Sequence, residues 1–92
     1  MNLRSVDLNL LVVLDALLTE RNVSRAGRRI GLSQPAVSAA LGRLRALFGD
    51  PLLVRAGRGL VLTRGAEDLI GPVREILAHI EQTLVERPRF DP

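Results

Sequence analysis

Between Leu8 and Leu18 every position is apolar except Asn9 and Asp15. Leu8, Leu10, Leu11, Val12, Val13, Leu14, Ala16, Leu17 and Leu18 leave almost no polar face on a helix. A helix apolar on most sides is buried on more than one. Asp7 stands where an N-cap belongs, so the run predicts a first helix reaching about Thr19. Glu20-Arg21-Asn22 breaks the pattern, and Asn22 can cap a second helix over about Val23–Ile30. Beyond Gly31, Val37, Leu41, Leu44 and Phe48 recur at spacings of 4, 3 and 4, flanked by Ala36, Ala40 and Leu47. That is the core stripe of a third helix, starting at Ser33 or Gln34 and ending near Phe48 before Gly49-Asp50-Pro51. Pro35 falls in its first turn, where no intrahelical N–H bond is required.

The period then changes. Leu52–Arg55 and Leu60–Leu62 read as two short strands joined by Ala56-Gly57-Arg58-Gly59. Thr63 can cap a last helix from about Arg64 to Glu86. Ala66, Leu69, Ile70, Val73, Ile76, Leu77, Ile80 and Leu84 form its apolar stripe, which Gly71-Pro72 should kink or locally unwind. At 1.5 Å per residue its length of about 34 Å resembles one turn of DNA. The 92 residues leave little core for so long a stripe. Leu69, Val73, Ile76, Leu77, Ile80 and Leu84 are therefore expected to meet a second copy of the same helix. Folding back on the first helix within one chain is the competing reading. The tail Arg87–Pro92, with two prolines, is expected to fray.

Composition narrows the chemistry. The chain is 47% hydrophobic, enough for one modest domain. It has no cysteine and a single histidine, His79. No disulfide frame, thiolate site or ligand cluster is available, and no metal or cofactor is implied. The Leu8–Leu18 run is too short to span a bilayer. Arg4 before it could open a signal peptide, but Asp15 and the lack of a small-residue cleavage site argue against one. A soluble, cytoplasmic protein without a membrane partner is expected. The net charge of +3 hides a strong asymmetry: residues 1–20 carry −2 and residues 65–92 carry −3. Residues 21–64 hold nine arginines against Asp50 alone, a net +8. Such a block suits a polyanion, although a solvated basic face would look the same. Phe48 and Phe90 are the only aromatics. That argues against single strands, which are read by stacking, and favours duplex DNA.

The segment Val23–Gly42, VSRAGRRIGLSQPAVSAALG, joins these threads. It reads as two helices about a tight turn. Gly31 can adopt φ > 0, Ala26 and Gly27 are small where the helices cross, and Ile30, Leu32, Val37 and Leu41 supply a shared core. This is the helix-turn-helix layout, whose second helix enters the major groove. Opposite the core stripe of the third helix lie Pro35, Ser38, Ala39, Gly42 and Ala46, flanked by Gln34, Arg43 and Arg45. An ordinary exposed helix carries Glu and Lys there. A small face can sit deep in a groove, where Pro35 and Ala39 can touch thymine methyls and Gln34 an adenine edge. Packing against another helix would suit the same face. The hairpin makes a wing, and Arg58 at its tip is placed to reach a neighbouring minor groove. A protein-interaction bundle is the alternative function, against which the +8 block and the small face count. An enzyme needs clustered acids, histidine or cysteine, and none are clustered. Ser33 and Ser38 have no nearby base and read as polar contacts.

The phrases DLNLLVVLDALLTERNVSRAGRRIGLSQPAVSAALGRLRALFGDPLL, RAGRG and LTRGAEDLIGPVREIL resemble the N-terminal part of LysR-type transcriptional regulators. The resemblance runs from about Asp7 to about Glu86 and is strongest to the nodulation-regulator (NodD) branch. It implies a mainly α fold: a winged helix-turn-helix of three helices and a two-stranded wing over residues 1–63. A long dimerisation linker helix and tail follow over 64–92. Linker helices in the family pair antiparallel into a homodimer that reads an interrupted palindrome, and full-length proteins can form tetramers. Family contacts fall here on Gln34, Pro35, Ala36, Ser38 and Ala39, with Arg55 and Arg58. Many members carry arginine in place of Ala39, so one direct base contact is expected to be missing. Members often pair two alanines in place of Ala26-Gly27, and the glycine is expected to cost up to about 1 kcal/mol. The family's C-terminal domain, which binds the small-molecule effector, is absent from this stretch. The chain therefore reads as an isolated DNA-binding fragment.

Overall fold

A computed structural model describes residues 1–85. After a 3-10 turn at Leu3–Ser5 come α1 (Asn9–Glu20), α2 (Val23–Ile30), α3 (Gln34–Phe48), β1 (Leu53–Ala56), β2 (Gly59–Leu62) and α4 (Arg64–Val85). The expected helix end at Glu86 and the tail Arg87–Pro92 lie outside the described residues.

Local chemistry sets most boundaries. Asn22 Oδ1 accepts from Arg25 N at 2.9 Å, Ser33 Oγ from Ala36 N at 3.3 Å and Thr63 Oγ1 from Ala66 N at 3.0 Å. Each bond satisfies a donor that has no intrahelical partner, worth about 1 kcal/mol. Asp7 acts one residue earlier than expected. Its Oδ1 accepts from Asn9 N at 3.0 Å and its carbonyl from Leu10 N at 3.0 Å, so a turn precedes α1. Gly31 ends α2 at φ +74°, a left-handed conformation that a Cβ disfavours.

The core is built from Leu14 and Leu17 of α1, Val37 and Leu44 of α3, and Leu52 before the wing, all fully buried. Ala26 and Ala66 are small and buried where α2 and α4 come close to it. Two residues expected inside are not. Leu32 is 42% exposed, because the chain leaves the Gly31 turn with its carbonyl toward Gly27 and its side chain along an open groove. Phe48 is 37% exposed, since it sits on the last turn of α3 where the layer ends. Ile30 is only partly buried.

The strands pair antiparallel in the register Leu53–Leu62, Val54–Val61, Arg55–Leu60 and Ala56–Gly59. Leu53 and Leu62 face the core, Leu60 packs partly against it, and the other residues of the two strands are exposed.

The reading of α4 as folded back on the first helix holds for its first half. Val73, expected at a contact between copies, is 2% exposed within the single chain. Together with Ala66 it belongs to the monomer core, and Leu69, Ile70 and Leu77 pack partly against that core. Arg74 fastens this half to α1, approaching Asp15 Oδ1 at 3.7 Å and donating to Thr19 Oγ1 at 3.3 Å. The physical reason is α1 itself, whose apolar surface exceeds what α2 and α3 can cover. Beyond Val73 the stripe opens: Ile76 and Ile80 are 44% and 43% exposed, Leu84 70%. The helix is continuous through Gly71-Pro72, without the expected local unwinding. Pro72 is exposed, so the hydrogen bond it cannot donate is lost on a wet face. No helix of the described residues is long and apolar enough to cross a membrane.

Candidate nucleic-acid interface

Burial of Val37, Leu41 and Leu44 fixes the rotation of α3. At 100° per residue the opposite side carries Pro35, Ser38, Ala39, Gly42 and Ala46, and all five are exposed. Among the described residues no other element covers this small face, which removes packing against them as its explanation. Ser33 is occupied as the N-cap of α3. Gln34 is steadied across the gap to α2 by Ser24 Oγ, which donates to Gln34 Oε1 at 3.3 Å.

The wing stands beside one edge of this face because side chains at its base hold it there. Arg45 Nε donates to the Pro51 carbonyl at 2.8 Å and Arg45 Nη2 to the Leu53 carbonyl at 3.1 Å. Arg45 lies at the edge of the small face by helical phase, yet its guanidinium is committed to the wing. Asp50 forms the second brace. Its Oδ1 accepts from Thr63 Oγ1 and from Leu52 N, both at 2.7 Å. The Thr63 bond first, and the Leu52 bond second, hold the carboxyl below its usual pKa. This brace keeps buried Leu52 at φ +65°, a left-handed conformation costing a non-glycine residue about 1–2 kcal/mol. Gly65 packs so tightly on the Asp50 carboxylate that a Cβ there would collide with it. Thr63 therefore joins α3, the wing and α4 at one point, because it also caps α4.

A cleft of about 620 Å³ opens between the wing, the end of α1 and the start of α2 and α3. Gln34, Arg55 and Arg58 meet there, so three of the expected site residues from distant parts of the chain line one concavity. Arg58 occupies the hairpin turn next to Gly57, whose φ is +59°. Arg43 is not part of this group. It lines a separate groove with Ser5, Val6, Asp7 and Leu10, and Ala36 and Ala39 border the adjoining depression. The expected residues thus form a broad surface: Arg43 and Ala36 on one side, Pro35, Ser38 and Ala39 in the middle, Gln34 and the wing arginines on the other. Sequence reasoning missed Arg21 and Arg25, which also line the cleft. Arg25 was accessible from charge and helical phase. Arg21 was not, because its position depends on a φ of +52° that no local motif announces. Among the described residues no group of three His, Cys, Asp or Glu side chains gathers to hold a metal ion.

Residues 8–67 match the family described as bacterial regulatory helix-turn-helix protein, lysR family. The chain belongs to the LysR family. It is 59% identical over all 92 residues to nodulation protein D of Bradyrhizobium sp. (strain ANU 289), of which it covers 27%. It is 58% identical over the same span to nodulation protein D 1 of Bradyrhizobium elkanii, covering 29%. The chain thus spans under a third of the length of these curated relatives. Among solved structures it resembles a probable transcriptional regulator from Pseudomonas aeruginosa, with TM-score 0.84 and 42% identity over 98% of this chain and 30% of that one. It also resembles the CbnR DNA-binding domain in a complex with DNA, with TM-score 0.77 and 26% identity over 88% of this chain and 93% of that one. The four helices and two-stranded wing are the winged helix-turn-helix architecture of LysR DNA-binding domains.

Proposed function

We propose that the chain binds double-stranded DNA sequence-specifically, as a homodimer on an interrupted palindrome, and that its role is transcriptional regulation in the cytoplasm. The observation that carries this reading is the exposed, uncharged face of α3 set beside Gln34 and the wing arginines. Such a face fits a groove and has little use in water. Pro35 and Ala39 are assigned to thymine methyls, Gln34 to an adenine edge, and Ser38 with Ser33 and Ala36 to close polar and backbone approach. Arg55 and Arg58 are assigned to the flanking minor groove and its phosphates, and Arg43 to phosphate on the far side. The structural relative solved with DNA supports a duplex partner.

Dimerisation is assigned to the outer half of α4, where Ile76, Ile80 and Leu84 stay exposed and Leu69 and Leu77 border them. Val73 is left to the monomer. Tetramers and small-molecule response are assigned to the further length of the relatives, which are more than three times as long.

Selection of duplexes from a random pool by the chain, followed by footprinting, tests the reading. The expected product is two symmetric half-sites whose centres lie about one helical turn, or a multiple of it, apart. Retention that ignores sequence would overturn it. Sedimentation tests the dimer separately: Ile76→Glu with Ile80→Glu is expected to give a folded monomer that protects DNA poorly. A parent chain that stays monomeric yet protects two half-sites would show that DNA, and not α4, assembles the pair.

A further inference from the structure

Beyond the recognition helix and the wing, the cleft brings four arginines together: Arg21, Arg25, Arg55 and Arg58. One acid, Glu20, lines the same cleft. It is already engaged by a fifth arginine from α2, since Arg29 Nη1 lies 3.0 Å from Glu20 Oε2. Among the described residues no salt bridge reaches Arg21, Arg25, Arg55 or Arg58. Four like charges on one concavity repel each other, and a fold has no stability reason to gather them. The conformation of Arg21 makes the same point independently. It ends α1 at φ +52°, ψ +31°, where glycine or asparagine is comfortable and arginine is strained. A charged side chain thus occupies a glycine-favouring position and lines the cleft.

We propose that Arg21 and Arg25 form a phosphate-binding subsite for the DNA backbone, adjoining Gln34 and continuous with the wing arginines. This deepens the DNA-binding reading and rests on it. The subsite contributes register and affinity and no base discrimination: its arginines come from the α1–α2 junction, while the small face that reads base edges is on α3. Arg29 is a positioning residue here. By holding Glu20 it keeps a carboxylate from pairing with the cleft arginines.

The proposal is tested on the 92-residue chain with two duplexes, one of mixed sequence and one selected by the chain from a random pool, over a series of salt concentrations. Each phosphate contact contributes about 0.9 to the slope of log affinity against log salt, which is about eightfold in affinity between 1 M and 0.1 M salt. Arg21→Gly is expected to reduce that slope by about one contact on both duplexes, leaving their affinity ratio unchanged. It should also melt no lower than the parent, because glycine suits the left-handed position. Arg25→Gln should lower the slope by a similar step, and the double variant by about two. Gln34→Ala should instead erode the ratio between the duplexes while sparing the slope. Arg21→Gly and Arg25→Gln with parental slopes on both duplexes would overturn the subsite and leave the DNA-binding reading standing. A parent chain that binds neither duplex would overturn both. Loss of discrimination in the arginine variants, with the slope intact, would also reject a backbone contact.

Discussion

Replacing Gly27 by alanine sets two effects of known sign against each other. In an open helix the change stabilises by about 1 kcal/mol, because glycine loses more backbone freedom on folding. At Gly27 the new Cβ would stand 2.5 Å from the Leu32 carbonyl oxygen and 3.3 Å from Val37 Cγ2. The oxygen is backbone. It belongs to a turn in which Leu32 N donates to Gly27 O at 2.9 Å, so it cannot rotate away as a side chain would. Relieving the contact means opening the α2–α3 turn, and overpacking of a close-fitted site costs about 1–3 kcal/mol. The balance is a loss of about 1 kcal/mol, or a melting point lower by about 4–8 °C for a domain of this size. Gly42→Ala is the internal control. Gly42 lies inside α3 with nothing within 4 Å of its would-be Cβ, so only the favourable helix effect applies. Circular dichroism melts of both variants decide the matter. If Gly27→Ala gains as much as Gly42→Ala, the turn yields freely and close approach is not what requires glycine there.

Asp50 has a folded-state pKa below its ordinary value of 3.8. Its bonds to Thr63 and Leu52 therefore contribute stability above that value, and the contribution fades as pH falls through the lower folded pKa. The urea midpoint of Asp50→Asn is expected to lie below the parent's at neutral pH and to converge on it in acid; a constant gap would mean the brace does not depend on the charge. Ser38→Glu should leave the far-ultraviolet spectrum intact and abolish specific binding, since a carboxylate on the small face meets phosphates and base acceptors; gel shift at matched salt reads this. Arg58→Ala should weaken binding by about 1–3 kcal/mol, most at A·T-rich flanks, and equal affinity would remove the wing from the interface.

The elements that local chemistry dictates were legible in the sequence. Asn22, Ser33 and Thr63 each have a hydroxyl or amide oxygen within reach of a free helix donor, and that bond needs nothing from the rest of the fold. Gly31 is similar, since a left-handed turn is a property of one residue. Several of the misreadings concern residues whose role a distant partner decides. Leu32 and Phe48 have the spacing of core residues, but burial depends on which element packs over them, and among the described residues none closes over either. Arg45 has the phase of a groove-facing residue, yet the carbonyls of Pro51 and Leu53 come within its reach only once the wing folds back on α3. For Gly27, helix propensity was readable and the approach of the Leu32 carbonyl was not.

The division of α4 shows how such a distant decision could have been anticipated. A stripe at helical spacing says which side of a helix is apolar and nothing about how far its cover extends. Lengths carry that information. At 1.5 Å per residue α1, with 12 residues, is about 18 Å long, whereas α4, with 22, is about 33 Å. Even a perfectly aligned α1 can cover little more than half of α4. Ala66 and Val73 are buried and Arg74 reaches Asp15 and Thr19 of α1, so the uncovered part is the C-terminal half. That is where Ile76, Ile80 and Leu84 remain in water, while Ala66 and Val73 do not. The intrachain reading of the stripe holds for the near half alone. The near half holds the linker to its own domain, and Arg74 fixes it there. The far half stays exposed, and in the dimer proposed above it would meet a second chain with the orientation of each domain already set.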